Sequence, residues 1–161
     1  MKFHFLSSNN PEAKNTEKKL TELFGQNSVE DADYIIPIGG DGLLLKSLHN
    51  FNKLNKPFFG INFGSIGFLM NNLSNENLND MITNAKKSIF KPLKMTAQSV
   101  NNEIFEAYAY NEVSLMRQTH LASKIKIKIN EKVKMEELIC DGVLLSTSAG
   151  STAYNLSLIH I

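Results

Sequence analysis

The chain has one cysteine, almost no net charge and no long apolar run. Cys140 stands alone, so no internal disulfide can form and a reducing cytoplasm is expected. A formal net charge of +1 leaves no basic surplus for nucleic acid or an anionic membrane as the main partner. No apolar stretch approaches the roughly 20 residues that span a bilayer. The opening Met1-Lys2-Phe3-His4-Phe5-Leu6-Ser7 carries one basic residue and a short apolar patch. It is too short for a signal peptide and reads as a first strand. A Gly-x-Gly-x-x-Gly turn is also missing after that strand, where Ser7-Ser8-Asn9-Asn10 stands instead. This argues against a nicotinamide-dependent oxidoreductase.

What is present is ordinary globular composition, 42% hydrophobic and 20% charged over 161 residues. Such a chain can bury one good core, or one core and part of another. Its organising stretch is Tyr34-Ile35-Ile36-Pro37-Ile38-Gly39-Gly40-Asp41-Gly42. A short apolar run, a glycine turn and a new apolar pattern of helical period predict the βα unit of an α/β domain. Glycines permit positive φ and close approach of a ligand to the backbone. Amide groups at a helix start favour a phosphate. Asp41 would repel that anion, so it fits as a base beside phosphates or as holder of a bridging metal. The same four residues also read as a plain tight turn with Asp41 as helix N-cap.

Before this unit, a helix is expected over residues 11–24, capped by Asn10 and stopped by Gly25. After it, Leu44, Leu45, Leu48, Phe51 and Leu54 predict a helix over 41–54 with those side chains in the core, and His49 falls at its surface. A second strand is expected over 57–62, running into Phe63-Gly64-Ser65-Ile66-Gly67-Phe68-Leu69. Two glycine turns after two strands gather at one sheet edge, where ligands of open α/β sheets bind. A third helix is expected over 75–87. From Ile89 the period changes to two. Residues 94–100 and 104–110 read as a hairpin turning at Asn101-Asn102. A strand over 123–129 sets Ile125, Ile127 and Ile129 against Lys124, Lys126 and Lys128, turns at 130–132 and returns over 133–139. The lysines are then a solvated sheet face. The expected fold is an α/β domain over 1–88 followed by an antiparallel β domain over 89–161.

Three polar groups interrupt the second half: Asn111-Glu112, Asp141-Gly142, and the run Ser146-Thr147-Ser148-Ala149-Gly150-Ser151-Thr152-Ala153-Tyr154. Each alone can be an edge, a turn or a solvated loop. Together they supply an amide, carboxylates and hydroxyls of the kind a nucleoside site uses.

In this order, Gly39-Gly40-Asp41-Gly42, Asn62-Phe63-Gly64-Ser65-Ile66-Gly67-Phe68-Leu69, Asn111-Glu112-Val113, Asp141-Gly142 and Gly150-Ser151-Thr152-Ala153-Tyr154 resemble the NAD kinase family. The first block is shared with lipid kinases and phosphofructokinases. The Asn-Glu pair and the last loop point to NAD kinases. The resemblance implies an α/β domain and a β-sandwich with NAD in the crevice between them. It implies transfer of the γ-phosphate of ATP, or in some members polyphosphate, to the 2′-hydroxyl of the adenosine ribose of NAD, with Mg²⁺ or another divalent cation. It implies a cytoplasmic homodimer or homotetramer. Asp41 would be the catalytic carboxylate. Gly39, Gly40, Gly42, Asn62 and Gly64 would lie on the phosphate side, and no residue is assigned as a metal ligand. NAD would be held by Asp41, Gly42, Phe68, Asn111, Glu112, Asp141, Thr152, Ala153, Tyr154 and Ser157. Phe68 would lie beside the adenine, with Asn111 and Glu112 on adenine and ribose. Asp141 would reach the nicotinamide half, and the last four residues would line the adenine pocket.

Leu43 stands where the family often has Thr, and Ser148 where it usually has Pro. After Ser157 the chain leaves the pattern with Leu158-Ile159-His160-Ile161. The expectation is a truncated sequence whose sandwich is incomplete. The alternatives are an inactive dinucleotide-binding fragment and a related lipid or small-molecule kinase.

Overall fold

The computed structural model describes residues 1–64, 67–74 and 77–150. The chain divides into two compact units, Met1–Ile89 and Phe90–Ile161.

The first unit is built on a parallel sheet of β1 (Phe3–Ser7), β2 (Tyr34–Gly39) and β3 (Ile61–Asn62), in that order. Phe3, Phe5, Ile36, Ile38 and Ile61 are buried on one face of it. α1 (Pro11–Phe24) lays Ala13 and Leu20 on that face, and α3 (Leu78–Asn84) adds Leu78 and Ile82. Each such Phe, Ile or Leu side chain, fully buried, contributes about 1.5–3 kcal/mol. The opposite face is met by α2 (Asp41–Asn50). There Leu43 approaches Gly39, and Phe51 sets its ring edge-on to His4. α1 has the predicted bounds, with Asn10 Oδ1 accepting the Glu12 N–H at 2.8 Å and Gly25 at its end. Gly25 has φ of 75°, which a side chain would strain.

Several boundaries differ from expectation. α2 stops at Asn50. Phe51 leaves helical geometry at φ −111°, and Asn52–Leu54 form a separate 3-10 turn closed by left-handed Asn55. Leu44 is buried, while Leu45, Leu48, Phe51 and Leu54 are half-buried, since only one turn of the pattern meets the sheet squarely. The strand expected over 57–62 is reduced to Ile61–Asn62, with one earlier bridge from Phe58 to Ile35. The Gly60 carbonyl is taken instead by the Asn71 backbone and side-chain amides. α3 is shorter than predicted. Asn77 caps it by accepting the Asn79 N–H, and Ala85 is already extended.

The second unit is antiparallel throughout. β4 (Leu93–Gln98) pairs with β5 (Ile104–Ala109), β6 (Glu112–Met116) with β9 (Gly142–Ser146), and β7 (Ser123–Ile129) with β8 (Lys132–Cys140). Among the described residues this unit is thus seen as three two-stranded ladders. Among the described residues, every fully buried core hydrophobe belongs to the first unit, while Val100, Leu121 and Ile139 are exposed. The β7–β8 turn has two residues, not three. Asn130 and Glu131 both have positive φ, as a type I′ hairpin requires, and Lys132 already belongs to β8. Lys124 and Lys126 are exposed and pair with Glu137 and Glu136.

Candidate active site

Parallel strands deliver their carboxyl ends to one edge. The ladder continues past the strands, with Ser8 N–H donating to the Ile38 carbonyl at 3.0 Å and Phe63 N–H to that of Gly39 at 2.6 Å. This edge therefore gathers Ser8, the glycine turn and the Asn62-Phe63-Gly64 segment. Gly40 is the N-cap of α2, and Asp41 is its first residue. The N-cap expectation for Asp41 is thus shifted by one position. The first amides of a helix have no intrahelical acceptor, and the dipole there is positive.

The three glycines have different reasons. Positive φ is not among them, contrary to expectation. Gly40 has φ −111°, and among the described residues the only glycine with positive φ is Gly25. Gly39 is buried. A Cβ there would meet Ser8 and Leu43 at 3.0 Å, so a side chain would have to push these neighbours aside. A Cβ on Gly40 would meet only the Gly64 Cα, at 3.9 Å, and one on Gly42 nothing within 4 Å. Among the described residues packing does not require glycine at 40 or 42, and the space beside them is open.

Asp41 faces the segment after β3. Its Oδ2 accepts the Phe68 N–H at 2.9 Å and its Oδ1 the Leu69 N–H at 3.1 Å. Asn62 Oδ1 accepts the Gly64 N–H at 2.9 Å, and the Asn62 side chain fills the space beside Gly67. Asn10, the cap of α1, also donates from Nδ2 to the Phe63 carbonyl at 3.1 Å. Asp41, Asn62, Gly64 and Phe68 are thereby brought to one edge with Gly39, Gly40 and Gly42.

In the second unit, Glu112 opens β6 and Asn111 immediately precedes it. Gly150 is buried against Asn111, where any Cβ would overlap the Asn111 carbonyl. Thr147 ties the two segments. Its N–H donates to the Asn111 carbonyl at 2.8 Å, and its Oγ1 donates to the Tyr110 carbonyl at 2.7 Å and accepts the Gly150 N–H at 3.0 Å. Sequence reasoning placed Thr147 in a hydroxyl-rich loop but gave it no role. Only the pairing of β6 with β9 reveals one. Glu112 Oε2 is buried with no hydrogen-bond partner among the described residues. A buried carboxylate oxygen without a donor is costly and calls for one.

Asp141 lies elsewhere. It precedes Gly142, which pairs with Met116 at the far end of the ladder from Glu112. At about 3.3 Å per residue the two acids are separated by roughly 15 Å. Asp141 Oδ1 accepts from Arg117 Nε at 2.5 Å, its carbonyl accepts the Arg117 N–H, and Arg117 Nη1 donates to the Thr119 carbonyl. The structure does not bring Asp141 to Asn111 and Glu112. Arg117 is a partner that sequence spacing did not suggest. Thr152, Ala153, Tyr154 and Ser157, and the Leu158–Ile161 tail, lie outside the described residues, as do Ser65 and Ile66.

These features define a class, an α/β unit on a parallel sheet with a carboxylate and open glycines at its carboxyl edge, followed by antiparallel β-structure. A family model described as the ATP-NAD kinase N-terminal domain matches residues 1–87. The chain belongs to this family. It is 47% identical over 154 residues to the NAD kinase of Brucella suis biovar 1 (strain 1330), covering 96% of this chain and 60% of that protein. It is 45% identical over 153 residues to the NAD kinase of Rhizobium meliloti (strain 1021), covering 95% and 60%. The chain thus spans about 60% of the length of these curated relatives. In three dimensions it is similar to yeast NADH kinase, solved in complex with NADH. The TM-score is 0.67 at 20% identity, over 96% of this chain and 60% of the other. That likeness shows the two-part fold. Among the described residues no helix is long and apolar enough to cross a membrane.

Proposed function

We propose that this chain is part of an NAD kinase, which transfers the γ-phosphate of ATP to the 2′-hydroxyl of the adenosine ribose of NAD to give NADP. The observation that carries this reading is Asp41 at the start of α2, between two glycines whose open sides no atom of the described residues fills. A phosphate chain needs such space beside a helix N-terminus. A ribose hydroxyl is a very weak acid and attacks only with help. A positioned carboxylate supplies about 10²–10⁴-fold by taking its proton. The larger share comes from aligning the phosphoryl group and neutralising its charge.

In this reading residues 1–88 form the nucleotide-binding domain and 89–161 part of the NAD-binding domain. Asp41 directs the hydroxyl. Gly39, Gly40, Gly42, Asn62 and Gly64 shape the phosphate side. Phe68 offers a ring to the adenine. Asn111 and Glu112 hold adenine and ribose, a role supported by the unpartnered Glu112 oxygen. Asp141 serves the nicotinamide half, and Thr152, Ala153, Tyr154 and Ser157 line the adenine pocket. Among the described residues no group of three or more acidic, His or Cys side chains could cage a metal. A Mg²⁺ ion fits here only as nucleotides carry it, held by phosphate oxygens with at most one carboxylate, and it would offset phosphate charge. We further infer a homodimer or homotetramer working in the cytoplasm.

NADP formation by the full-length protein from NAD, ATP and Mg²⁺, beside Asp41→Asn, tests the proposal. NADP from the parent and about 10²-fold less or lower from the variant is expected. A folded parent that makes no NADP, or that phosphorylates diacylglycerol instead, overturns it.

A further inference from the structure

Asp41 is bonded as well as poised. Both of its oxygens accept backbone amides, those of Phe68 and Leu69, which lie 27 and 28 residues further along the chain. The far side of this segment is tied separately, by Asn71 to the Gly60 carbonyl and by the Asn62 N–H to the Asn71 carbonyl. Asp41 is therefore the near-side anchor of Phe68 and Leu69. The Phe68 amide is held while the residue is 66% exposed. An exposed ring on a tethered backbone is a surface on which a planar group can stack. Each carboxylate oxygen has two acceptor directions, and one amide uses only one of them. The carboxylate can hold the segment and still accept a hydroxyl.

We propose that Asp41 is a clasp, fixing the Phe68-Leu69 backbone and through it the Phe68 ring, so that dinucleotide binding depends on Asp41 independently of proton transfer. The proposal rests on the kinase reading of this edge. A group that only touches the ligand would lose the same affinity whether or not Phe68 carries its ring. A clasp would not. The carboxamide of Asn offers a single acceptor oxygen, and its NH₂ opposes the second amide. Asp41→Ala offers none.

The test uses the full-length protein, with Asp41→Asn and Asp41→Ala, and two readouts that require no turnover. The first is amide hydrogen exchange at Phe68 and Leu69 without ligand, with Ile36 and Ile38 as internal controls for the intact sheet. The second is NAD affinity in the absence of ATP. Exchange at Phe68 and Leu69 should quicken about tenfold or more in Asp41→Ala, less in Asp41→Asn, with the controls unchanged. NAD affinity should fall about tenfold in parallel in Asp41→Ala, and much less on a Phe68→Ala background; an equal fall in both backgrounds overturns the clasp. Unchanged exchange at both amides overturns the clasp, even if NADP formation is abolished. Faster exchange with unaltered NAD affinity also overturns it, because the anchoring would then not reach the ligand. If the variants exchange faster but the parent itself binds no NAD, the anchoring stands and the dinucleotide reading is what fails.

Discussion

At the scale of residues, the glycine turn separates positions that look alike in the sequence. Gly39 packs tightly against Ser8 and Leu43, whereas no side chain of the described residues crowds Gly40 or Gly42. Gly42→Ala should therefore stabilise α2 by up to about 1 kcal/mol, since Ala is the better helix former. If a phosphate occupies the open side, the same methyl should lower NADP formation by about 10²-fold through misplacement. Thermal unfolding and an NADP assay on one preparation check both halves, and a variant that is stabilised and fully active would contradict the ligand reading. Asp41 stood out in the sequence as a lone carboxylate among glycines, which the residues alone also allowed as a plain turn. Its amide partners were not legible, because a backbone N–H leaves no mark in the sequence. The unpartnered Glu112 oxygen was hidden for a similar reason, since burial depends on the pairing of β6 with β9.

At the scale of elements, small polar side chains join what the strands leave apart. Asn10 caps α1 and also holds the Phe63 carbonyl, so Asn10→Ala removes two bonds. It should lower stability by about 1–2 kcal/mol in urea unfolding. Thr147 bridges Tyr110, Asn111 and Gly150. Thr147→Val keeps the shape and removes the hydroxyl, at a cost of about 1–3 kcal/mol. If Asn111 and Glu112 hold the adenosine, the KM for NAD should rise more than kcat falls. In the β4–β5 hairpin, the hydrogen bond and charge of Lys94 hold the Glu106 carboxyl below its usual value, and Glu106 holds the Lys94 ammonium above its own. The pair's contribution is complete at neutral pH. It is lost as pH falls through the lowered Glu106 value or rises through the raised Lys94 value. An NMR titration should show the Glu106 midpoint returning toward that of an ordinary glutamate in Lys94→Ala. Elements with local rules were the readable ones. Asn10, Pro11 and Gly25 set α1 at both ends, and the period-two lysines set β7. α2 was overextended because a leucine period continues past the place where Phe51 turns to meet His4.

At the scale of the whole molecule, burial is uneven. The first unit holds Phe3, Phe5, Ile36, Ile38 and Ile61 away from water, and the described strands of the second keep many apolar side chains exposed. Amide protection should therefore be greatest in β1 and β2 and at least about tenfold lower in β4 and β5, as hydrogen exchange on the chain would show. Equal protection in both would mean that the second unit finds cover these exposures do not reveal. The edge of β1 is closed without a strand. Gln26 bonds both the N–H and the carbonyl of Phe5, and Asn27 the carbonyl of Phe3, which blunts an edge otherwise open to pairing. The sequence by itself determined the α/β-then-β order, the bounds of α1 and which strands of β4–β5 and β7–β8 pair as hairpins. Each follows from a period, a cap or a turn written in neighbouring residues. Only the tertiary structure decided which glycines leave open space, that Asp41 grips amides 27 and 28 residues away, and that Asp141 pairs with Arg117 at the other end of the ladder from Glu112. Those facts depend on which distant backbones meet, and local chemistry does not encode that.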